Sequence, residues 1–149
     1  MRAWKAQIVA LLAALALTTW PAAAQVPDPF ARELAQKLAR AEADLSDGLF
    51  VRGAGPFAGA MDARGTMSIP LTLRAGEIYR IVGVCDAGCG ALELTLANAD
   101  GARIAHAAPA AGAAAMDVRV PFTGAYEVEV STPRCTGTEC WYAVNVYSR

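Results

Sequence analysis

Residues 75–96, AGEIYRIVGVCDAGCGALELTL, decide the fold that we predict for this chain of 149 residues. The first half, 77–84, is rich in isoleucine, valine and tyrosine, which suit a pleated and half-buried strand. In the second half Leu92, Leu94 and Leu96 alternate with other residues, so one face of a strand meets a core and the other meets water. An aspartate and glycines between two cysteines predict a tight turn that joins the two strands.

Similar short alternating segments lie on both sides of this stretch. They are 66–74, 116–121, 126–130 and 141–147. Because no helical segment separates them, their spacing is typical of an antiparallel sandwich or barrel. We therefore predict an all-β fold, an antiparallel, jelly-roll-like β-sandwich of about seven to eight strands, preceded by one N-terminal α-helix.

The N-terminal part divides into three segments by composition. Residues 1–24 combine basic residues, an apolar run and three alanines, which predicts a signal peptide cleaved before Gln25. The apolar run is shorter than the roughly 20 residues that a membrane-spanning helix needs, so an uncleaved anchor is disfavoured. Residues 25–48 predict an amphipathic helix, and the glycine-rich segment 49–65 predicts an irregular linker with room for one short strand. The β-sandwich domain would then occupy 66–149.

The predicted helix has a capped start and one apolar stripe. Asp28 can cap it, and Pro29 suits its first position. Spacings of three and four residues form the stripe, which consists of Phe30, Leu34, Leu38, Ala41 and Leu45. We favour packing of this stripe on the domain that follows, with binding to a partner or to another copy as the alternative.

The charge balance argues against nucleic-acid binding. The sequence holds 13 basic and 14 acidic residues, and two of the basic ones precede Gln25, so cleavage leaves a net charge of −3. Nucleic-acid-binding proteins usually carry a basic surface, so we expect no nucleic-acid partner. No later segment is long and apolar enough to span a membrane, so we expect no span after cleavage.

Four cysteines predict two disulfide bonds. Cys85, Cys89, Cys135 and Cys140 form an even set in a chain that we expect to be exported to the periplasm or the exterior. Three pairings exist, and the local one, 85 with 89 and 135 with 140, is the simplest because each pair brackets a turn. Zinc is disfavoured because zinc ribbons usually separate paired cysteines by two residues, and here three and four intervene.

A calcium site is the other metal site that we considered. Asn98 and Asp100 offer oxygen atoms in a turn, but the spacing of an EF-hand loop is absent. We therefore predict no metal site and no cofactor.

No catalytic constellation stands out. His106 is the only histidine, and nucleophilic catalysis needs a base that is oriented beside a nucleophile. Glu127 and Glu129 would share an exposed sheet face with Arg80 and Arg119, and charge pairing across strands explains them more simply than glycoside hydrolysis. We therefore predict that the protein is not an enzyme.

Two surfaces remain as candidate binding sites. If successive strands alternate in direction, both cysteine pairs and the alanine-rich segment 107–115 lie at one end of the domain, where loops often bind ligands. On the last strand, Trp141, Asn145 and Tyr147 would face outward, and aromatic rings beside an amide can stack on sugars or anchor a protein. We predict these three as ligand-binding residues, with coverage by the N-terminal helix as the alternative.

Four short motifs resemble the bacterial pre-peptidase C-terminal domain, a small β-sandwich found in many secreted peptidases. They are 75–81, 92–101, 122–130 and 142–146, in that family's order. The resemblance implies a non-catalytic module, here without a peptidase, that helps an exported protein to fold or to bind a polymer such as a polysaccharide or collagen.

We therefore expect an exported, non-catalytic binding module of the bacterial periplasm or exterior that recognises a polysaccharide or an envelope protein. The alternative is a structural or assembly accessory that docks on a larger envelope complex through its N-terminal helix. The sequence leaves the oligomeric state open.

Overall fold

The computed structural model describes residues 25–43 and 50–149. The predicted signal peptide and the last residues of the predicted helix lie outside the described residues. These described residues form one helix and eight strands: α1 (Asp28–Ala43), β1 (Val51–Asp62), β2 (Thr66–Leu73), β3 (Ile78–Cys85), β4 (Cys89–Asn98), β5 (Arg103–Ala110), β6 (Ala113–Arg119), β7 (Gly124–Cys135) and β8 (Glu139–Ser148).

The strands form two four-stranded antiparallel sheets. Sheet A has the order β1-β8-β3-β6, and sheet B has the order β2-β7-β4-β5. Every connection except that between β4 and β5 crosses from one sheet to the other, which is the topology of a jelly roll. The predicted all-β sandwich of seven to eight strands with one N-terminal helix is therefore confirmed.

The alternation that decided the prediction does form the core between the sheets. Leu92, Leu94 and Leu96 of β4 are fully buried, and Val128 of β7 and Val144 of β8 lie in the same cluster. Alternating residues of β2 and β6 complete this core. The period of two in the sequence therefore reports the inward face of each strand correctly.

The segment predicted as a linker, 49–65, is largely strand β1, which pairs with β8 along the edge of sheet A. Its glycines and proline misled the prediction because they occupy irregular positions. The register with β8 shifts between Arg52 and Ala54 and again between Ala54 and Phe57. Such bulges on an edge strand accommodate glycine and proline without ending the strand.

Two predicted loops are also shorter than expected. The alanine-rich segment 107–115 consists of the end of β5, a two-residue turn and the start of β6, which belongs to the other sheet, and Pro109 fits there because β5 is an edge strand. The connection between the last two predicted strand segments, 126–130 and 141–147, shortens to 136–138, since β7 continues until Cys135 pairs opposite Cys89.

Both disulfide bonds follow the local pairing. Cys85 is bonded to Cys89, and Cys135 is bonded to Cys140. The two bonds lie at one end of the sandwich, as predicted, because Cys89 and Cys135 are cross-strand neighbours. At the other end of the same strand pair Asn98 lies opposite Tyr126.

Helix α1 packs on the outer face of sheet A. Leu34 and Leu38 are buried in a second apolar cluster together with Trp141 and Tyr147 of β8. The Lys37 ammonium group donates a hydrogen bond of 2.6 Å to the Cys85 carbonyl of β3. The apolar stripe therefore packs on the chain's own domain, the outcome that we favoured. In the parts of the chain described here, no helix has the length and apolar character needed to cross a membrane.

Candidate functional site

The three residues predicted to bind a ligand all lie on the outer face of sheet A, but helix α1 covers them. Trp141, Asn145 and Tyr147 expose only 8%, 1% and 4% of their surface. Their predicted direction is correct, and their predicted exposure is wrong. The physical reason is the apolar stripe of α1, which is buried only if it covers an apolar sheet face.

Trp141 is held by a ring contact and by a backbone hydrogen bond. The Phe30 ring of α1 stacks on the Trp141 ring at 5.5 Å between centroids. The Trp141 backbone N–H donates to the carboxylate of Asp86, which is itself buried at the disulfide end of the sandwich. Trp141 therefore serves as an anchor for α1 and does not present a free ring face to a ligand.

Asn145 and Tyr147 converge on one carboxylate of α1, that of Glu42. The Asn145 amide donates two hydrogen bonds of 3.0 Å, one to Glu42 Oε1 and one to the Tyr147 hydroxyl. The Tyr147 hydroxyl donates to the same Glu42 oxygen at 2.5 Å. Burial, followed by the hydrogen bond to Glu42, raises the pKa of the Tyr147 hydroxyl to about 12. It therefore stays protonated and remains a donor at neutral pH.

Sequence reasoning missed Glu42, although a signal for it exists. Glu42 follows Leu34 and Leu38 at the same spacing of four residues, so it lies on the apolar stripe and not on the solvent face of α1. A carboxylate on such a stripe predicts a polar partner on the surface that the helix covers.

The side-chain oxygen of Asn145 is a buried acceptor for which the described residues provide no hydrogen-bond donor. Rotating the amide by 180° would place this oxygen against the Glu42 carboxylate, so the observed orientation is the favourable one. The oxygen faces Gly55 in the bulge of β1. A buried acceptor without a donor costs about 1–3 kcal/mol.

An apolar cleft adjoins this amide between α1 and the β1 edge of sheet A. Its volume is about 270 Å³, and aliphatic side chains such as Leu34, Leu38 and Pro56 form most of its wall. The polar residues in the wall are Glu42, Arg52 and Asn145. An apolar cavity with a few convergent polar groups is the usual form of a binding site. We call it the α1 cleft.

The outer face of sheet B differs from the prediction. Arg80 and Arg119 do not share it with Glu127 and Glu129. Arg80 lies in sheet A and forms a bidentate ion pair with Asp117. Arg119, also in sheet A, donates to the carbonyl of residue 76. The predicted cross-strand pairing of these glutamates and arginines is therefore wrong, because the four residues belong to different sheets.

His106 has a structural partner on sheet B. Its ring Nε2 lies 2.7 Å from a Glu93 carboxylate oxygen, and a second Glu93 oxygen accepts a hydrogen bond from Ser131. The pair is solvent-accessible and links β5 to β4 and β7. Within residues 25–43 and 50–149, no three histidine, cysteine or acidic side chains are grouped to hold a metal ion.

Neither a family model nor a curated protein matches the sequence. Among solved structures, PliG from Aeromonas hydrophila, a periplasmic lysozyme inhibitor of g-type lysozyme, is 13% identical, with a TM-score of 0.47 over 70% of this chain and 90% of its own. The pre-peptidase C-terminal domain of a collagenase from Bacillus anthracis is 14% identical, with a TM-score of 0.47 over 61% of this chain and 88% of its own. The resemblance to the pre-peptidase C-terminal domain therefore holds for the fold alone.

Proposed function

We propose that this protein is an exported, non-catalytic binding module of the bacterial periplasm or exterior, and that it binds an envelope protein in the α1 cleft. The two disulfide bonds support export, because such bonds persist in oxidising compartments. The composition of residues 1–24 supports the same route.

The observation that carries the proposal is the acceptor oxygen of Asn145 beside the cleft. Buried acceptors in folded proteins nearly always have a donor from protein or ordered water, and the described residues supply none here, so this oxygen can accept a hydrogen bond from a binding partner. A protein partner that inserts an aliphatic side chain and offers a neighbouring N–H matches both the wall and the acceptor. The oxygen is closed to solvent by Gly55, so the bulge of β1 has to shift as the donor enters.

A polysaccharide matches the cleft less well. Sugar rings bind by stacking on exposed aromatic rings, and the described residues that line the α1 cleft are aliphatic or polar. The ring predicted for that task, Trp141, is already stacked on Phe30. Docking through the helix, the other alternative, would require the buried stripe around Leu34 and Leu38 to leave sheet A.

Photo-crosslinking inside the envelope tests the proposal. A benzophenone amino acid at Ala35, in the wall of the cleft, is expected to form an adduct with one envelope protein. The same group at Thr95, on sheet B, is the matched control and is expected to give no such adduct.

Two substitutions connect the adduct to the cleft. Ala39→Leu enlarges a residue of α1 that is exposed and lines the cleft, so it fills the cavity without altering the polar cluster. Asn145→Leu removes the acceptor. Both variants should abolish the Ala35 adduct, with circular dichroism to verify the fold. Equal adducts from Ala35 and Thr95, or retention on purified polysaccharide that Ala39→Leu leaves unchanged, would refute the assignment.

A further inference from the structure

The four edge strands of the sandwich are not equally protected against pairing with another strand. Edge strands expose unpaired backbone N–H and C=O groups, and proteins block them with prolines and bulges. Pro56 lies in β1, Pro70 in β2 and Pro109 in β5. The ladders of β1 and β5 also contain register shifts.

The remaining edge, β6, carries neither protection. Its sequence, AAAMDVR, contains no proline or glycine, and it pairs with β3 in an unbroken register over seven residues. By these two criteria, β6 is the edge strand that a further strand can extend.

The backbone groups that β6 presents can be assigned from one hydrogen bond. The Cys85 N–H of β3 donates to the carbonyl of residue 112, just before β6. Hydrogen-bonded pairs recur at every second residue of an antiparallel ladder, so Ala114, Met116 and Val118 are bonded to β3. The alternate residues therefore direct their N–H and C=O groups away from the sandwich: Ala113, Ala115, Asp117 and Arg119.

The outward residues also carry a self-complementary charge pattern. Asp117 and Arg119 are exposed and lie two residues apart on the same face. In an antiparallel pair of two β6 strands centred on Val118, Asp117 of each copy, which also pairs with Arg80 of its own chain, lies opposite Arg119 of the other, and Ala115 lies opposite Pro121. A centre at Asp117 would place two aspartates opposite each other, and a centre at Met116 would place both charged residues opposite alanines, so of these three registers only the one centred on Val118 pairs opposite charges.

We propose that two copies of this protein associate through their β6 strands, joining the two A sheets into one eight-stranded antiparallel sheet. Asp117 and Arg119 of the two copies exchange backbone hydrogen bonds and pair their side chains, and the Ala115 N–H donates to the Pro121 carbonyl of the second copy.

Sedimentation of the disulfide-bonded protein between about 1 μM and about 1 mM measures the association. A concentration-dependent dimer is expected. Ala115→Pro removes an outward N–H and leaves the bonds to β3 intact, so it should weaken the dimer at least about tenfold. Arg119→Asp places like charges opposite each other and should also weaken it.

Ser68→Pro is the matched control. Ser68 is exposed on β2, two residues from Pro70, so the substitution also adds a proline to an edge, but to one outside the proposed interface. The control should remain dimeric, and all variants should keep the thermal unfolding of the parent. Hydrogen exchange should protect the amides of Ala115 and Asp117 only at high concentration.

If the parent protein stays monomeric over this concentration range, the proposal is wrong, and the β6 edge would then be open to a strand of another protein. A dimer that Ser68→Pro disrupts and Ala115→Pro does not also overturns it.

Discussion

Gly55 occupies a position at which other residues do not fit. Its φ is +104°, in the left-handed region that favours glycine. A Cβ atom there would lie 2.6 Å from the Asn145 side-chain oxygen and 2.7 Å from the Val144 carbonyl oxygen. The bulge of β1 thus brings backbone against the buried amide, and the conformation and the contact both require glycine.

We expect Gly55→Ala to lower the free energy of unfolding by about 2–3 kcal/mol, because it adds both backbone strain and a steric overlap. Gly53→Ala is the matched control on the same strand. Its Cβ would meet nothing nearer than 3.8 Å, so its effect should stay within about 0.5 kcal/mol. Urea denaturation measures both, and equal losses would show that the approach to Asn145 does not restrict this position.

The hydroxyl of Tyr147 links Asn145 to Glu42, and its removal tests how much this cluster stabilises the docking of α1. Tyr147→Phe should lower the free energy of unfolding by about 1–2 kcal/mol, since the Asn145 amide loses an acceptor and Glu42 loses a donor. Tyr142→Phe is the control, because burial alone raises the pKa of the Tyr142 hydroxyl. Its loss should be smaller, and a Tyr142→Phe effect as large as that of Tyr147→Phe would contradict the role of the cluster.

The raised pKa of Tyr147 also predicts a pH dependence. The folded protein keeps this proton up to about pH 12, whereas the unfolded chain releases it near the ordinary value of 10. The parent protein therefore loses stability as pH rises from 10 to 12, by up to about 1.4 kcal/mol per pH unit from this group. Tyr147→Phe lacks this contribution, so its deficit relative to the parent should shrink within that window. A deficit that stays constant with pH would contradict the assignment.

At the scale of elements, the sequence predicts strands best where one face is apolar and the other polar. The leucines of β4 and the valines of β7 alternate cleanly, and both strands form as predicted. Strand β1 was missed because its two bulges break the alternation and bring glycine and proline into a paired strand. Composition alone does not distinguish a bulged edge strand from a linker.

Helix α1 was predicted from its stripe, but its docking place was not, because the sequence does not say which sheet face lies nearby. The interface between α1 and sheet A contains a natural fluorescent probe, Trp141. Two of the three tryptophans lie within residues 1–24, so a chain that begins at Gln25 retains only Trp141, beneath α1. Its fluorescence therefore reports whether the helix is docked.

The double substitution Leu34→Ala with Leu38→Ala should release α1, since each change removes apolar contact worth about 2 kcal/mol or more. Trp141 emission should shift to longer wavelength while the β signal in far-ultraviolet circular dichroism persists. Gln36→Ala with Arg40→Ala, two exposed positions of the same helix, should leave the emission unchanged. Identical spectra for the two double variants would show that the stripe does not hold the helix.

At the scale of the whole molecule, strand direction and cysteine spacing were enough to place both disulfide bonds at one end of the sandwich. The candidate site was only partly predictable. Asn145 and Tyr147 were found because they alternate with the inward residues of β8, whereas their burial depends on α1, more than 100 residues earlier in the sequence. Contacts at that separation leave no periodic signal in a single sequence.

The two disulfide bonds require an oxidising compartment, and the export that we propose would provide one. In a bacterial host, protein isolated from the periplasm should begin at Gln25 and weigh four hydrogens less than its reduced form, one pair for each disulfide bond. Intact mass spectrometry with and without reductant measures both features.

The matched control replaces Leu12 and Leu15 with arginine, which interrupts the apolar run of residues 1–24 without altering the domain. That variant should stay in the cytoplasm at full length with four free thiols, because thiols there are kept reduced. A full-length periplasmic protein would contradict cleavage, and free thiols in the periplasm would remove the support that the disulfide bonds give to export.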